Sequence, residues 1–227
     1  MTYAARNGGG YTLEALLGIR PNAVAAPDFH GWEVKGYSGS KVTLMTPEPD
    51  GGFYGAEGVG KFVNRYGRHL PDKDQRYFTG SHRYGIANRS TSMTLGLNGF
   101  DAINGKIVDV KGYIYLLDVA GELAASWSFS SLLTHWNRKH ASAVYVPYES
   151  ELIDPPRYRY KNPILLGQHT DFAKYLGAMA DGKVIFDPGS KIEGISTPKP
   201  RVKARSQFRI GLRNLGRLYE TFESIEL

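Results

Sequence analysis

The sequence predicts an α/β or α+β fold built around one mixed sheet, and three observations carry that expectation. Strand-like and helical patterns interleave along the chain without a regular strand–helix–strand repeat. Apolar residues recur at helical spacing in Val59, Phe62, Val63 and Tyr66, while Trp32–Tyr37 alternates with period two. With 227 residues, 41% of them hydrophobic and 22% charged, the chain is long enough to bury a core of its own.

Element by element, Thr12 is placed to cap a short helix carrying Leu13, Leu16 and Leu17, with Gly18 as its stop. Strands are expected at Trp32–Tyr37 and Lys41–Thr46, followed by the helix on Val59–Tyr66 that Gly67 ends. Thr91–Leu97 and Lys106–Leu117 read as strands, with Asn104-Gly105 as a hairpin turn. A helix bearing Phe129, Leu132, Leu133 and Trp136 leads to a buried strand at Ala143–Pro147. Beyond Asp154-Pro155-Pro156 come a helix on Phe172, Tyr175, Leu176 and Met179, a strand near Val184–Phe186 and a strand at Gln207–Ile210. A last helix, on Leu215, Leu218, Tyr219 and Phe222, is expected to close the chain.

Composition excludes several functions. There is no cysteine, so a disulfide scaffold, a cysteine-liganded zinc or iron–sulfur site and thiol catalysis are impossible. No apolar run approaches the ~18–20 residues that span a bilayer, which makes the cytoplasm the expected compartment. Gly8-Gly9-Gly10 is not a phosphate loop, because the G-x-x-x-x-G-K-[ST] pattern is missing.

The formal charge of +6 is unevenly placed. Residues 1–154 balance fifteen Lys/Arg with fifteen Asp/Glu, while residues 155–227 hold thirteen against seven. Lys199, Arg201, Lys203, Arg205, Arg209, Arg213 and Arg217 lie in a stretch of nineteen residues without an acid. Such a stretch suits a polyanion such as nucleic acid; it is also what a solvated basic face looks like. The expected division is a catalytic lobe at 1–155 and a basic DNA-binding lobe at 156–227.

The most informative segment is Pro27-Asp28-Phe29-His30-Gly31-Trp32-Glu33-Val34-Lys35. On a strand, Trp32 and Val34 point to one face and Glu33 and Lys35 to the other, with Asp28 just ahead of the strand. Two carboxylates and a lysine converging on one patch make a hard-oxygen site for Mg²⁺ with an ammonium beside it, the equipment of a phosphodiester hydrolase. An isolated E-x-K is ordinarily a solvent-facing ion pair worth little. Here it comes with a preceding P-D, an aromatic-aliphatic strand and Glu14 upstream, although Glu14 by itself also suits the positive end of a helix.

These runs, Gly10-Tyr11-Thr12-Leu13-Glu14, Pro27-Asp28 and Gly31-Trp32-Glu33-Val34-Lys35, resemble the opening of the MvaI/BcnI restriction endonucleases and the related mismatch-repair nicking enzyme MutH. The likeness continues through Leu132–His140 into Ala143-Val144-Tyr145-Val146-Pro147, and ends on Gln207-Phe208-Arg209-Ile210. It implies the PD-(D/E)xK fold, a mixed sheet flanked by helices with two lobes around a DNA cleft. By that resemblance Asp28 and Glu33 are the metal ligands, Lys35 the catalytic lysine, Glu14 a supporting acid and Lys139 an additional lysine near the scissile phosphate. Read from the residues alone, Lys139 is equally a helix-end lysine facing carbonyls.

What the resemblance implies is a Mg²⁺-dependent type II restriction endonuclease acting as a monomer on double-stranded DNA in a bacterial or phage setting, with a cognate DNA methyltransferase encoded nearby. The chain departs from the family pattern at Asp187-Pro188-Gly189, where an Asp-x-Arg is expected, and it has no histidine after His169. Lys203, Arg205, Gln207 and Arg209 are the DNA-binding residues it offers instead, able to address base edges or phosphates. A nicking enzyme or weakly specific DNase with a repair or toxin role is therefore the second reading, and a non-catalytic DNA-binding protein the third.

Overall fold

The structure, a computed structural model, describes residues 8–19, 29–139, 141–151 and 153–226, residues 137–139 by their backbone alone. In chain order the elements are α1 (Gly8–Leu16), β1 (Glu33–Tyr37), β2 (Lys41–Met45), α2 (Gly52–Tyr66), β3 (Arg68–Leu70), β4 (Gln75–Thr79), β5 (Thr94–Asn98), β6 (Phe100–Asp101), β7 (Lys106–Ile107), β8 (Tyr113–Leu117) and β9 (Leu123–Ser128). They continue with α3 (Phe129–Lys139), β10 (Ser142–Glu151), β11 (Arg157–Tyr160), β12 (Ile164–Gln168), α4 (Phe172–Ala180), β13 (Val184–Phe186), β14 (Gly189–Glu193), β15 (Arg201–Lys203), β16 (Phe208–Gly211) and β17 (Thr221–Ile225). Short 3₁₀ turns occupy Pro71–Lys73 and Leu212–Leu218. The class is mixed α+β.

Two compact units emerge, each assembled from separate stretches of chain. The first comprises Met1–Val42, His135–Lys174 and Gly211–Leu227; the second Thr43–Thr134 and Tyr175–Ile210. The basic segment 156–227 is thus shared between the two units.

The first unit is built on a sheet of order β1-β10-β12-β17, with β11 paired to the far part of β10. β1 runs parallel to β10, and the remaining pairs are antiparallel, so the sheet is mixed. On one face Leu13 of α1 packs with Val34 and Val146, joined by Ile19, Val144, Tyr160 and Ile164. α1 begins at Gly8 rather than being capped at Thr12, which is buried within it. The reason is close approach: a Cβ on Gly9 would lie 2.8 Å from Tyr148 Cδ2, and one on Gly36 would lie 3.2 Å from Gly10 Cα. The Tyr160 hydroxyl donates to the Gly9 carbonyl at 2.8 Å. Packing therefore overrides the poor helix propensity of glycine. Leu13 is buried as expected, but Leu16 and Leu17 are exposed.

The second unit surrounds an aromatic core in which Trp127, Phe186 and Phe208 pack at centroid distances of 4.8–5.3 Å, with Phe62 against Phe78 at 4.7 Å. The Trp127 indole N–H donates to the Pro47 carbonyl at 3.0 Å, satisfying its one polar atom. The sheets are β15-β14-β4-β3, β5-β8-β9, β13-β16-β2 and the small β6-β7 hairpin, whose four-residue loop 102–105 ends on Asn104-Gly105. The strand anticipated across Lys106–Leu117 is instead two, separated by a turn in which Gly112 donates to the Asp109 carbonyl. The closing helix is also corrected: Leu215 and Leu218 are buried one 3₁₀ turn apart, and Phe222 belongs to β17.

Candidate active site

β1 presents the motif as its period dictates. Val34 enters the core, and Glu33 and Lys35 share the opposite face, Lys35 Nζ donating to Glu33 Oε1 at 2.9 Å. The carboxylate is buried, its side chain 6% exposed, while the Lys35 side chain is 17% exposed. A buried charge persists only when paired, and Lys35 supplies one such pairing to the carboxylate.

The strand is aimed by a tight turn. Phe29 and Trp32 exchange backbone hydrogen bonds at 2.8 and 2.9 Å, with His30 at φ 47° and Gly31 at φ 85°. Two consecutive positive φ values are what a two-residue hairpin turn needs; glycine takes them freely, and histidine does so more readily than most side chains. His30 is exposed with its ring edge-on to Phe29 at 4.5 Å. Trp32, expected in the core, is half-buried.

The neighbouring strands build the floor. Register places Glu33 beside Ala143 and Gly167, and Lys35 beside Tyr145 and Leu165. The small pair leaves room for the Tyr219 ring: a Cβ at Gly167 would fall 2.5 Å from it. The Tyr145 and Tyr219 hydroxyls meet at 2.7 Å. Burial, the other tyrosine and the Glu33 charge all push the Tyr145 hydroxyl well above its ordinary value; burial and Glu33 do the same to Tyr219. Both phenols are therefore neutral dipoles packed near the carboxylate. This pair carried no signal in the sequence, where tyrosine on a strand reads as packing.

Of the other expected residues, Glu14 is half-buried on α1, the helix packed on the Val34 face, and its carbonyl accepts from the Ile19 amide at 2.9 Å. Asp28 and the side chain of Lys139 lie outside the described residues. Among the described residues no group of three or more His, Cys, Asp or Glu side chains is placed to hold a metal ion. Glu33 nonetheless fits a hard divalent cation chemically: it is an anionic oxygen donor, buried on a fixed strand, with Asp28 expected as its companion.

The DNA-binding candidates separate into two kinds. Lys203 and Arg205 are exposed; Lys203 pairs with Glu193 at 2.6 Å, and the Arg205 backbone is fixed by Ser190 Oγ and the Gly189 amide. Arg209 is instead half-buried on Asp187 at 2.9 Å, and Asp187 also accepts from Ser81 Oγ at 3.0 Å. Gln207 is half-buried with Oε1 inside the protein. Arg209 and Gln207 are thus less open to solvent than the exposed pair.

A buried carboxylate held by a lysine two residues along a strand of a mixed sheet fits the restriction-endonuclease class of fold. The family model described as "MvaI/BcnI restriction endonuclease family" matches residues 3–219, and the chain belongs to that family, whose members are type II site-specific deoxyribonucleases. Among solved structures, MvaI bound to its cognate DNA superposes with a TM-score of 0.71 at 21% identity, covering 99% of this chain and 90% of that one. MvaI in the absence of DNA gives 0.55 at 21% identity, over 99% and 91% of the two chains. No curated protein matches significantly. No described helix is long and apolar enough to cross a membrane.

Proposed function

We propose that this chain is a Mg²⁺-dependent type II restriction endonuclease that hydrolyses phosphodiester bonds of double-stranded DNA. The observation that carries the reading is the Glu33–Lys35 pair, a buried carboxylate and an ammonium 2.9 Å apart directly downstream of Pro27-Asp28. Asp28 and Glu33 would hold the cation; the family resemblance alone adds Glu14 as a supporting acid, from the helix packed against the Val34 face. When bound, Mg²⁺ supplies charge neutralisation at the non-bridging phosphate oxygen. Lys35 orients the attacking water by hydrogen bonding and stabilises the negative charge that grows as its proton leaves. Lys139 would neutralise the phosphate. Attack of the water oxygen on phosphorus, its proton passing to solvent water, breaks the bond to the 3′ oxygen, which takes up a proton from solvent; 5′-phosphate and 3′-hydroxyl ends result.

Lys203 and Arg205 are the proposed DNA contacts, ahead of the less exposed Arg209 and Gln207. The proposed assembly is a monomer in a bacterial or phage-derived cytoplasm, with a methyltransferase encoded nearby. The second reading, a nicking or weakly specific DNase, is favoured by Gly189, which supplies no side chain where the family pattern has arginine.

Plasmid digestion tests both. Cleavage is expected with Mg²⁺ and lost with EDTA, and Glu33→Ala is expected to abolish cleavage while DNA is still bound, since its phosphate contacts remain. Cleavage that persists in EDTA, or a Glu33→Ala variant as active as wild type, overturns the reading. Sequencing the ends decides specificity: discrete sites mark restriction, and scattered ends mark the DNase.

A further inference from the structure

The sheet β15-β14-β4-β3 of the second unit has one covered face and one charged face. Phe78, Ser190 and Ile192 are buried on the first, where β4 and β14 pack against α2. On the second, the register sets Lys203, Lys191, Tyr77 and Arg68 in one row straight across all four strands. The next row on that face runs Arg201, Glu193, Gln75, Leu70. Arg205 adds its side chain to the same face, since a Cβ on Gly189 would lie 2.9 Å from Arg205 Cδ and 3.3 Å from the Tyr77 hydroxyl. Five cations therefore share one face with a single acid. Strands about 4.8 Å apart set the ends of the row about 14 Å apart, a span comparable with the roughly 12 Å width of a DNA major groove.

Glu193 is the counter-ion within this face. It accepts from Lys191 at 2.5 Å and Lys203 at 2.6 Å. Those two lysines hold its carboxyl down to about 2, so it is ionised at any working pH. A polyanion laid on the face competes with Glu193 for both lysines and meets its negative charge.

We propose that this face docks on the phosphate backbone of duplex DNA, that Arg68 and Lys191 are contact residues beside Lys203 and Arg205, and that Glu193 restrains their affinity. The inference rests on DNA being the substrate, as in the reading above, and it extends the interface to residues outside the basic C-terminal stretch. Phosphate contacts position the duplex without reading sequence, so their signature is a salt dependence shared by all sequences.

The experiment measures fluorescence anisotropy of a labelled duplex of arbitrary sequence, with the full-length protein in EDTA across a range of KCl concentrations. Arg68→Gln and Lys191→Gln are each expected to weaken binding and to lower the log–log salt slope by about one. Glu193→Gln is expected to bind more tightly than wild type, a gain that misfolding does not produce. Lys111→Gln, an exposed cation on a different part of the unit, is expected to bind as wild type. Unchanged affinity and slope in both Arg68→Gln and Lys191→Gln overturns the proposal, as does weaker binding by Glu193→Gln or an equal loss in Lys111→Gln. If wild type still cleaves with Mg²⁺ in any of these cases, only the docking face fails and the nuclease reading stands.

Discussion

Individual side chains in this protein are held at protonation states that burial selects. His82 is fully buried between Phe78 and Phe186, with Nε2 on Thr91 Oγ1 at 2.8 Å, and burial pushes its pKa down to about 4. The unfolded chain takes up a proton near pH 6.5 that the folded chain refuses until about pH 4. The stability tied to this neutral ring is therefore complete above pH 6.5, and about 3 kcal/mol of it is lost on descending to pH 4. Denaturant midpoints at several pH values in wild type and His82→Phe test this; the variant should lose most of the slope between pH 6.5 and 4, and an unaltered slope would show that other groups carry it. The Tyr145–Tyr219 pair makes a second prediction. Removing either hydroxyl alone strands its partner in the interior and should cost about 1–3 kcal/mol, whereas removing both should cost less than the two singles together. A double-mutant cycle with phenylalanine measures the difference. Glu33 and Lys35 were legible in the sequence because a strand's period of two is enough to put them on one face. The tyrosines were not, because Tyr219 packs in the space that Gly167 leaves and Gly167 comes level with Glu33 only through the register of three strands.

At the scale of elements, α1 shows two neighbouring glycines with opposite roles. Helix propensity favours alanine over glycine by about 1 kcal/mol. At Gly10 nothing lies within 4 Å of a new Cβ, so Gly10→Ala should stabilise by about 0.5–1 kcal/mol. At Gly9 the Tyr148 ring occupies that space, and overpacking of about 1–3 kcal/mol outweighs the propensity gain, so Gly9→Ala should lower the melting temperature. Thermal melts of the two variants should move in opposite directions. The same competition explains which elements the sequence revealed. α2, α3 and α4 announce themselves by local spacing. β4, β9, β12 and β14 are five or six residues long and gain their stability from distant partners, so local patterns leave them unmarked. The final segment misled because Leu215, Leu218, Tyr219 and Phe222 satisfy a helical spacing that a 3₁₀ turn followed by a strand satisfies too. Arg68 and Lys191 could not be placed together without knowing that β4 lies between β3 and β14.

For the whole molecule, the chain is expected to work alone. Sedimentation of the free protein should give the mass of one chain, 25.2 kDa, and nicked circles should precede linear DNA in a digestion time course; a stable dimer at micromolar concentration would contradict both. The basic segment after residue 155 divides between the compact units, which is why charge along the sequence locates a property of the chain and not a folding boundary. The parallel pairing of β1 with β10 carries one further consequence. It joins Glu33 to a partner at Ala143, so the carboxylate and lysine of β1 gain the floor beneath them only after a long stretch of chain has closed. A chain still emerging from the ribosome, or one caught partway through folding, owns the right residues but no assembled centre. For a nuclease, such long-range assembly works as a safety catch: the protein acquires its edge only once the strands have paired.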